Sequence, residues 1–101
     1  MIVYNVTTNV TWAIHDEWLQ WLRQVYIPRV LQTSCFSESR ILRLFEIDDE
    51  DGPTYAVQFH ASTIENYHRF IEHHAAFFQQ QSREKWQDQL ISISSVMEVL
   101  H

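Results

Sequence analysis

Residues 54–61, Thr-Tyr-Ala-Val-Gln-Phe-His-Ala, alternate large apolar side chains at Tyr55, Val57 and Phe59 with Ala56, Gln58 and His60. A period of two is the pitch of a strand whose two faces meet different surroundings. Tyr55, Val57 and Phe59 are therefore predicted to enter a core, and Ala56, Gln58 and His60 to face away from it. Upstream, Asp48-Asp49-Glu50-Asp51-Gly52-Pro53 reads as a solvated turn, which makes residues 36–47 the partner strand of a hairpin. Downstream, Ser62-Thr63-Ile64-Glu65 matches a capping box, with Ser62 accepting from the Glu65 amide while Glu65 reaches back. A helix is predicted from there to about Trp86 on Ile64, Tyr67, Phe70, Ile71, Phe77 and Phe78, bent between His73 and Ala76 because the span is long for so small a chain.

Working outward, residues 2–10 set Ile2, Tyr4, Val6, Thr8 and Val10 against Val3, Asn5, Thr7 and Asn9, again a strand with unlike faces. From Trp12 the spacing turns helical through Ile14, Trp18, Trp21, Leu22 and Val25, and Pro28 is predicted to stop or kink that helix near Ile27. Residues 90–100 alternate loosely and supply the last strand. The element order is then βαββαβ. Right-handed crossovers place both helices on one face of a four-stranded antiparallel sheet, an α+β fold of the ferredoxin-like kind with one face left bare.

A length of 101 residues suits one domain, 1–101, and 46% apolar with 14% aromatic residues is the composition of a chain that folds. Seven basic against thirteen acidic residues leave a net charge of −6, so nucleic acid and anionic membrane surfaces are not expected partners. Cys35 is the only cysteine and cannot form an internal disulfide; it reads as a small packed residue. With no secretory pattern in the opening residues and no apolar run of membrane-spanning length, a cytoplasmic location is expected, and the sequons at Asn5 and Asn9 are chance matches.

The segments MIVYNVT (1–7), WLQWL (18–22), YIPRVL (26–31), CF (35–36), SRILRL (39–44), GPTYAVQ (52–58) and YHRFIEHHAAF (67–77), taken in order, resemble a family of short bacterial proteins classed as a domain of unknown function. The resemblance covers nearly the whole chain. It implies a dimeric α/β barrel, in which two sheets pack through their bare faces as a homodimer, and it implies no activity. Proteins with that barrel include cofactor-free monooxygenases, isomerases, haem enzymes and stress-response proteins, and a shared fold selects none of them.

If strand parity holds, Asn5, Arg43, Gln58 and His60 converge on the bare face as a ligand-binding group, with Ile41, Phe45 and Ile47 as apolar wall. His60 would serve as a base near neutral pH and Arg43 would hold an anion. Tyr26 and His74 are candidates for the pocket rim. His68 and His73 lie five apart and do not share a helical face, so no metal site is expected, and no cofactor is implied. The reading is a small-molecule binding protein or cofactor-independent enzyme using the barrel interior, for a small anionic or aromatic ligand. The alternative is a structural or regulatory homodimer without one.

Overall fold

A computed structural model describes all 101 residues. Four strands, β1 (Ile2–Val10), β2 (Glu38–Arg43), β3 (Thr54–Ala61) and β4 (Leu90–Glu98), form one antiparallel sheet in the order β2-β3-β1-β4. Between β1 and β2 the chain runs through α1 (His15–Trp21), a π turn (Leu22–Tyr26) and α2 (Ile27–Gln32); between β3 and β4 it runs through α3 (Ile64–His73) and α4 (Ala75–Trp86). The result is an α+β open sheet, consistent with a ferredoxin-like domain. No helix is long and apolar enough to cross a membrane.

The register shows which side chains share a face. Tyr4 lies opposite Phe59, Val6 opposite Val57 and Thr8 opposite Tyr55. Tyr55, Val57 and Phe59 are buried under the helices with Trp18, Leu22, Val30, Phe36, Phe70 and Phe78, as the alternation of β3 requires. Phe59, with no exposed surface, sits between the rings of Tyr4, Phe36 and Tyr26 at centroid distances of 6.4, 5.4 and 6.2 Å. Aromatic pairs in this range add to the hydrophobic term of simple burial.

Several expectations need correction. β2 ends at Arg43 rather than Ile47, and its faces are reversed: Ile41 lies opposite Val57 and Arg43 opposite Tyr55, so both are on the helix side. The bare side of β2 carries Glu38, Arg40 and Leu42 instead, and Phe45 and Ile47 lie in the loop beyond it. The cause is that Ile41, Leu42 and Leu44 are apolar on both parities, so the pattern gives no unique face, and the pairing with Val57 decides it.

Pro28 does not end the first helical region. The π turn ahead of it lets the chain restart, and Pro28 occupies the first turn of α2, where its missing N–H leaves nothing unpaired.

The cap of α3 is one residue later than predicted. Thr63 is extended (φ −136°, ψ 157°) and its hydroxyl accepts from the Asn66 amide at 3.2 Å, while the Asn66 side chain donates back to Ser62 Oγ. Asn66, and not Glu65, completes the reciprocal pair. Such a cap is worth about 1 kcal/mol.

The predicted bend is present, with His74 (φ −130°) separating α3 from α4. Phe78 is buried, whereas Ile71 and Phe77 point to solvent. Cys35 is buried as expected, and Arg69 donates to its Sγ at 3.4 Å and to the Ser34 carbonyl at 2.9 Å, tying α3 to the turn before β2.

Candidate functional site

The group anticipated on the bare face is only partly assembled. Asn5 lies opposite Gln58 and Val3 opposite His60, so Asn5, Gln58 and His60 do share that face. Asn5 donates to Thr7 Oγ1 at 2.9 Å, and His60 Nδ1 is 3.4 Å from Glu38 Oε1; Asn5 Oδ1 and His60 Nε2 are buried without partners. Arg43 is not with them. It projects from the opposite side of the sheet, 3.3 Å from Asp49 and over the Trp12 ring at 6.0 Å, so a shared Arg43–His60 site does not exist.

The principal cavity lies on the other face, between the sheet and the helices, with a volume of about 390 Å³. Its origin is the placement of the helices, which pack over β1, β2 and β3 and leave the helix side of β4 uncovered. The floor is formed by Tyr4, Val6 and Thr8 of β1 with Leu90, Ser92 and Ser94 of β4, and the Thr8 and Ser92 hydroxyls are hydrogen-bonded at 2.8 Å. One wall is Trp18, Trp21, Leu22 and Tyr26, from α1 and the π turn. The other is Phe78, Gln79, Ser82 and Arg83 of α4 with Gln87 just beyond it. Phe78, Ser82 and Gln79, Arg83 recur at helical spacing and so face one way. Gln87 adopts φ 54°, a conformation non-glycine residues seldom hold, as the chain turns from α4 into β4.

Two of the lining residues are phenols whose hydroxyls are shifted by burial. Burial pushes the Tyr26 hydroxyl well above the usual tyrosine range, and the neighbouring Tyr4 adds to this. Tyr4 is raised by burial first and by Tyr67 second, with a hydrogen bond to the Ser94 side chain acting in the opposite direction. Both phenols therefore stay protonated at physiological pH and can donate hydrogen bonds.

Tyr26, a rim candidate in the sequence, thus lines the cleft wall, against Trp21 at 5.2 Å and Phe78 at 5.7 Å. His74, the other, is at the α3–α4 break with its ring stacked on Phe70 at 6.0 Å and takes no part in the lining. Trp18 packs on Tyr55 of β3 at 5.6 Å and Trp21 against Trp86 at 5.7 Å, and both also line the cleft. Sequence reasoning missed Ser92 and Ser94, although their alternation with Ile91 and Ile93 was available as a signal. It missed Arg83 as well, which no local motif marks.

A second polar cluster was also unanticipated. His15 Nε2 is 2.7 Å from the Tyr55 hydroxyl and its Nδ1 is 3.0 Å from Asp16, with the His15 and Tyr55 rings stacked at 5.7 Å. It satisfies the hydroxyl of a buried tyrosine and anchors α1 to β3; it is not part of the cleft lining.

Fold and cleft together define a small α+β domain with an open antiparallel sheet and an aromatic-walled cavity beneath its helices. The chain belongs to the family described as a domain of unknown function (DUF4286), whose model matches residues 1–100. No curated protein matches the chain.

Proposed function

We propose that this domain binds a small molecule in the cleft beneath its helices. The observation that carries the reading is the cavity itself: about 390 Å³, concave, walled by aromatic rings and floored by a few hydroxyl groups. This is the size and mixture typical of small-ligand sites. The site is on the helix side of the sheet, not on the bare face where the sequence pointed. None of its lining residues is an Asp, Glu, His, Lys or Cys. The side chains that most often move protons near neutral pH are thus missing, and this favours binding and orientation over proton-transfer chemistry.

Ser92→Phe would place a ring over the cleft floor from an exposed strand position; it also removes the hydrogen-bond partner of the buried Thr8 hydroxyl, so a cooperative thermal unfolding transition is the check that the variant is folded. Titration with the uncharged probe phenylnaphthylamine is expected to show one bound molecule per chain, weakened at least tenfold in Ser92→Phe. Equal binding by both proteins would remove the cleft from consideration.

The same reading includes a homodimer joined through the bare sheet faces, as a dimeric α/β barrel. Ile91 and Ile93 of β4 are 70% and 72% exposed on that face, and Leu42 and Met97 are also exposed there. Apolar side chains grouped in this way mark an interface more often than a free surface. Sedimentation at micromolar concentration is expected to give a dimer for the natural sequence and a monomer for Ile93→Asp. A monomeric natural protein, or a dimer indifferent to Ile93→Asp, would refute the interface. The single cysteine, reduced and buried, accords with a cytoplasmic setting for this dimer.

A further inference from the structure

The cleft differs in charge from the rest of the molecule. The chain holds thirteen acidic residues and a net charge of −6, yet no carboxylate lines the cavity and its one charged side chain is Arg83. The acidic neighbour on α4 is turned elsewhere, since Glu84 Oε1 accepts from Gln80 Nε2 at 2.9 Å. No carboxylate lies within ion-pair distance of Arg83.

Apart from Arg83, the Gln79 and Gln87 amides and the two indoles, the polar side chains of the lining are hydroxyls. Tyr4 and Tyr26 are protonated donors at physiological pH, and Thr8 and Ser92 already satisfy one another. Trp18, Trp21, Tyr26 and Phe78 line the same cleft as these hydroxyls and give it its apolar walls. A cationic ligand would meet a guanidinium and no counter-charge. A sugar-like polyol could stack on the aromatic walls but would leave the guanidinium without a counter-charge. An anion carried on an apolar body of about one or two rings matches each part: its charge at Arg83, its body between the aromatic walls, and any further oxygen toward the phenols.

We infer that the ligand of this cleft is a monoanion of the carboxylate or sulfonate type on a compact apolar body, held at its charged end by Arg83. The inference rests on the cleft being the ligand site. Arg83 acts as a charge-assisted hydrogen-bond donor at the mouth, where a bidentate contact to a carboxylate or sulfonate is geometrically natural for a guanidinium. Loss of such a contact costs around tenfold in affinity or more.

The test compares two dyes with the same ring body, anilinonaphthalene sulfonate and its uncharged parent phenylnaphthylamine, followed by fluorescence on titration. The natural protein is expected to bind the sulfonate at least fivefold more tightly than the parent. Arg83→Gln, at an exposed helix position, is expected to abolish that preference by weakening the sulfonate alone, with an unchanged melting temperature. Ser92→Phe is expected to lose both dyes. If the natural protein binds both dyes equally, or if Arg83→Gln weakens both alike, while Ser92→Phe still loses both, the anion inference is overturned and the cleft remains the site. If Ser92→Phe keeps both dyes, the cleft reading itself has failed and the anion inference goes with it.

Discussion

Truncation of Phe59 to alanine is expected to destabilise the domain by about 3–5 kcal/mol. Phe59 has no exposed surface, and its ring is in contact range of Tyr4, Tyr26 and Phe36. Removing it loses the transfer free energy of the ring and opens a void between β1, the π turn and the connection ahead of β2. Tyr4 and Phe36 are fixed by further packing against Phe70, at 5.7 and 4.9 Å, so they cannot collapse into the space. A domain of this size has about 5–15 kcal/mol in total, so the loss is a large share of it. Phe77→Ala is the matched control. That ring is 58% exposed on the outer side of α4, and its removal is expected to cost under about 1 kcal/mol. Urea denaturation of the two variants should show midpoints far apart; equal midpoints would mean that the core is not organised around Phe59.

That Phe59 points inward could be read directly from its strand, and the contrast with β2 shows why. In β3 every second residue is large and apolar and its neighbours are Ala56, Gln58 and His60, so only one face can be the core face. In β2 the run Ile41-Leu42-Arg43-Leu44 offers apolar residues on both parities. The face of such a strand is set by its pairing partner, and Ile41 settles opposite Val57. One inverted strand was enough to move Arg43 across the sheet and dissolve a proposed site, while Asn5, Gln58 and His60, on strands with clear alternation, are on the expected face.

The cleft was legible only in part. Tyr26 was visible as an aromatic that the helix pattern did not need. The floor depended on β4, where Leu90-Ile91-Ser92-Ile93-Ser94 alternates with an unusual sense: the large β-branched residues face the side without helices, and the serines face the side with them. On one face that arrangement accords with helices that stop short of β4, and on the other with the dimer proposed above. The π turn, which carries Leu22 and Tyr26 into the cleft wall, has no signature in the residues Leu22–Tyr26 that would separate it from an ordinary helix.

The second large effect is expected at the one glycine of the chain. Gly52 has an ordinary negative φ, so its requirement is for space and not for an unusual backbone conformation. A Cβ built there would lie 1.7 Å from the Val10 carbonyl oxygen and 2.9 Å from Thr11 Cα, both main-chain atoms that no rotamer change can move. The close approach arises because the hairpin tip folds back on the end of β1. Val10 N donates to the Pro53 carbonyl at 3.1 Å, Trp12 N to the Asp51 carbonyl at 3.1 Å, and the Asn9 side chain to the Gly52 carbonyl at 3.0 Å. An alanine at position 52 must push the tip away from β1, and these hydrogen bonds lengthen together. The expected cost of Gly52→Ala is about 3 kcal/mol, at the upper end of overpacking effects. For a domain of this length that corresponds to a fall in melting temperature of roughly 12–24 °C. Asp51→Ala, one residue earlier and exposed, keeps its carbonyl bond to Trp12 and is expected to shift the midpoint by only a few degrees. Thermal unfolding of both variants checks the argument. A Gly52→Ala midpoint equal to that of Asp51→Ala would show that the tip is free to lift off β1 and that the contact is not required for the fold.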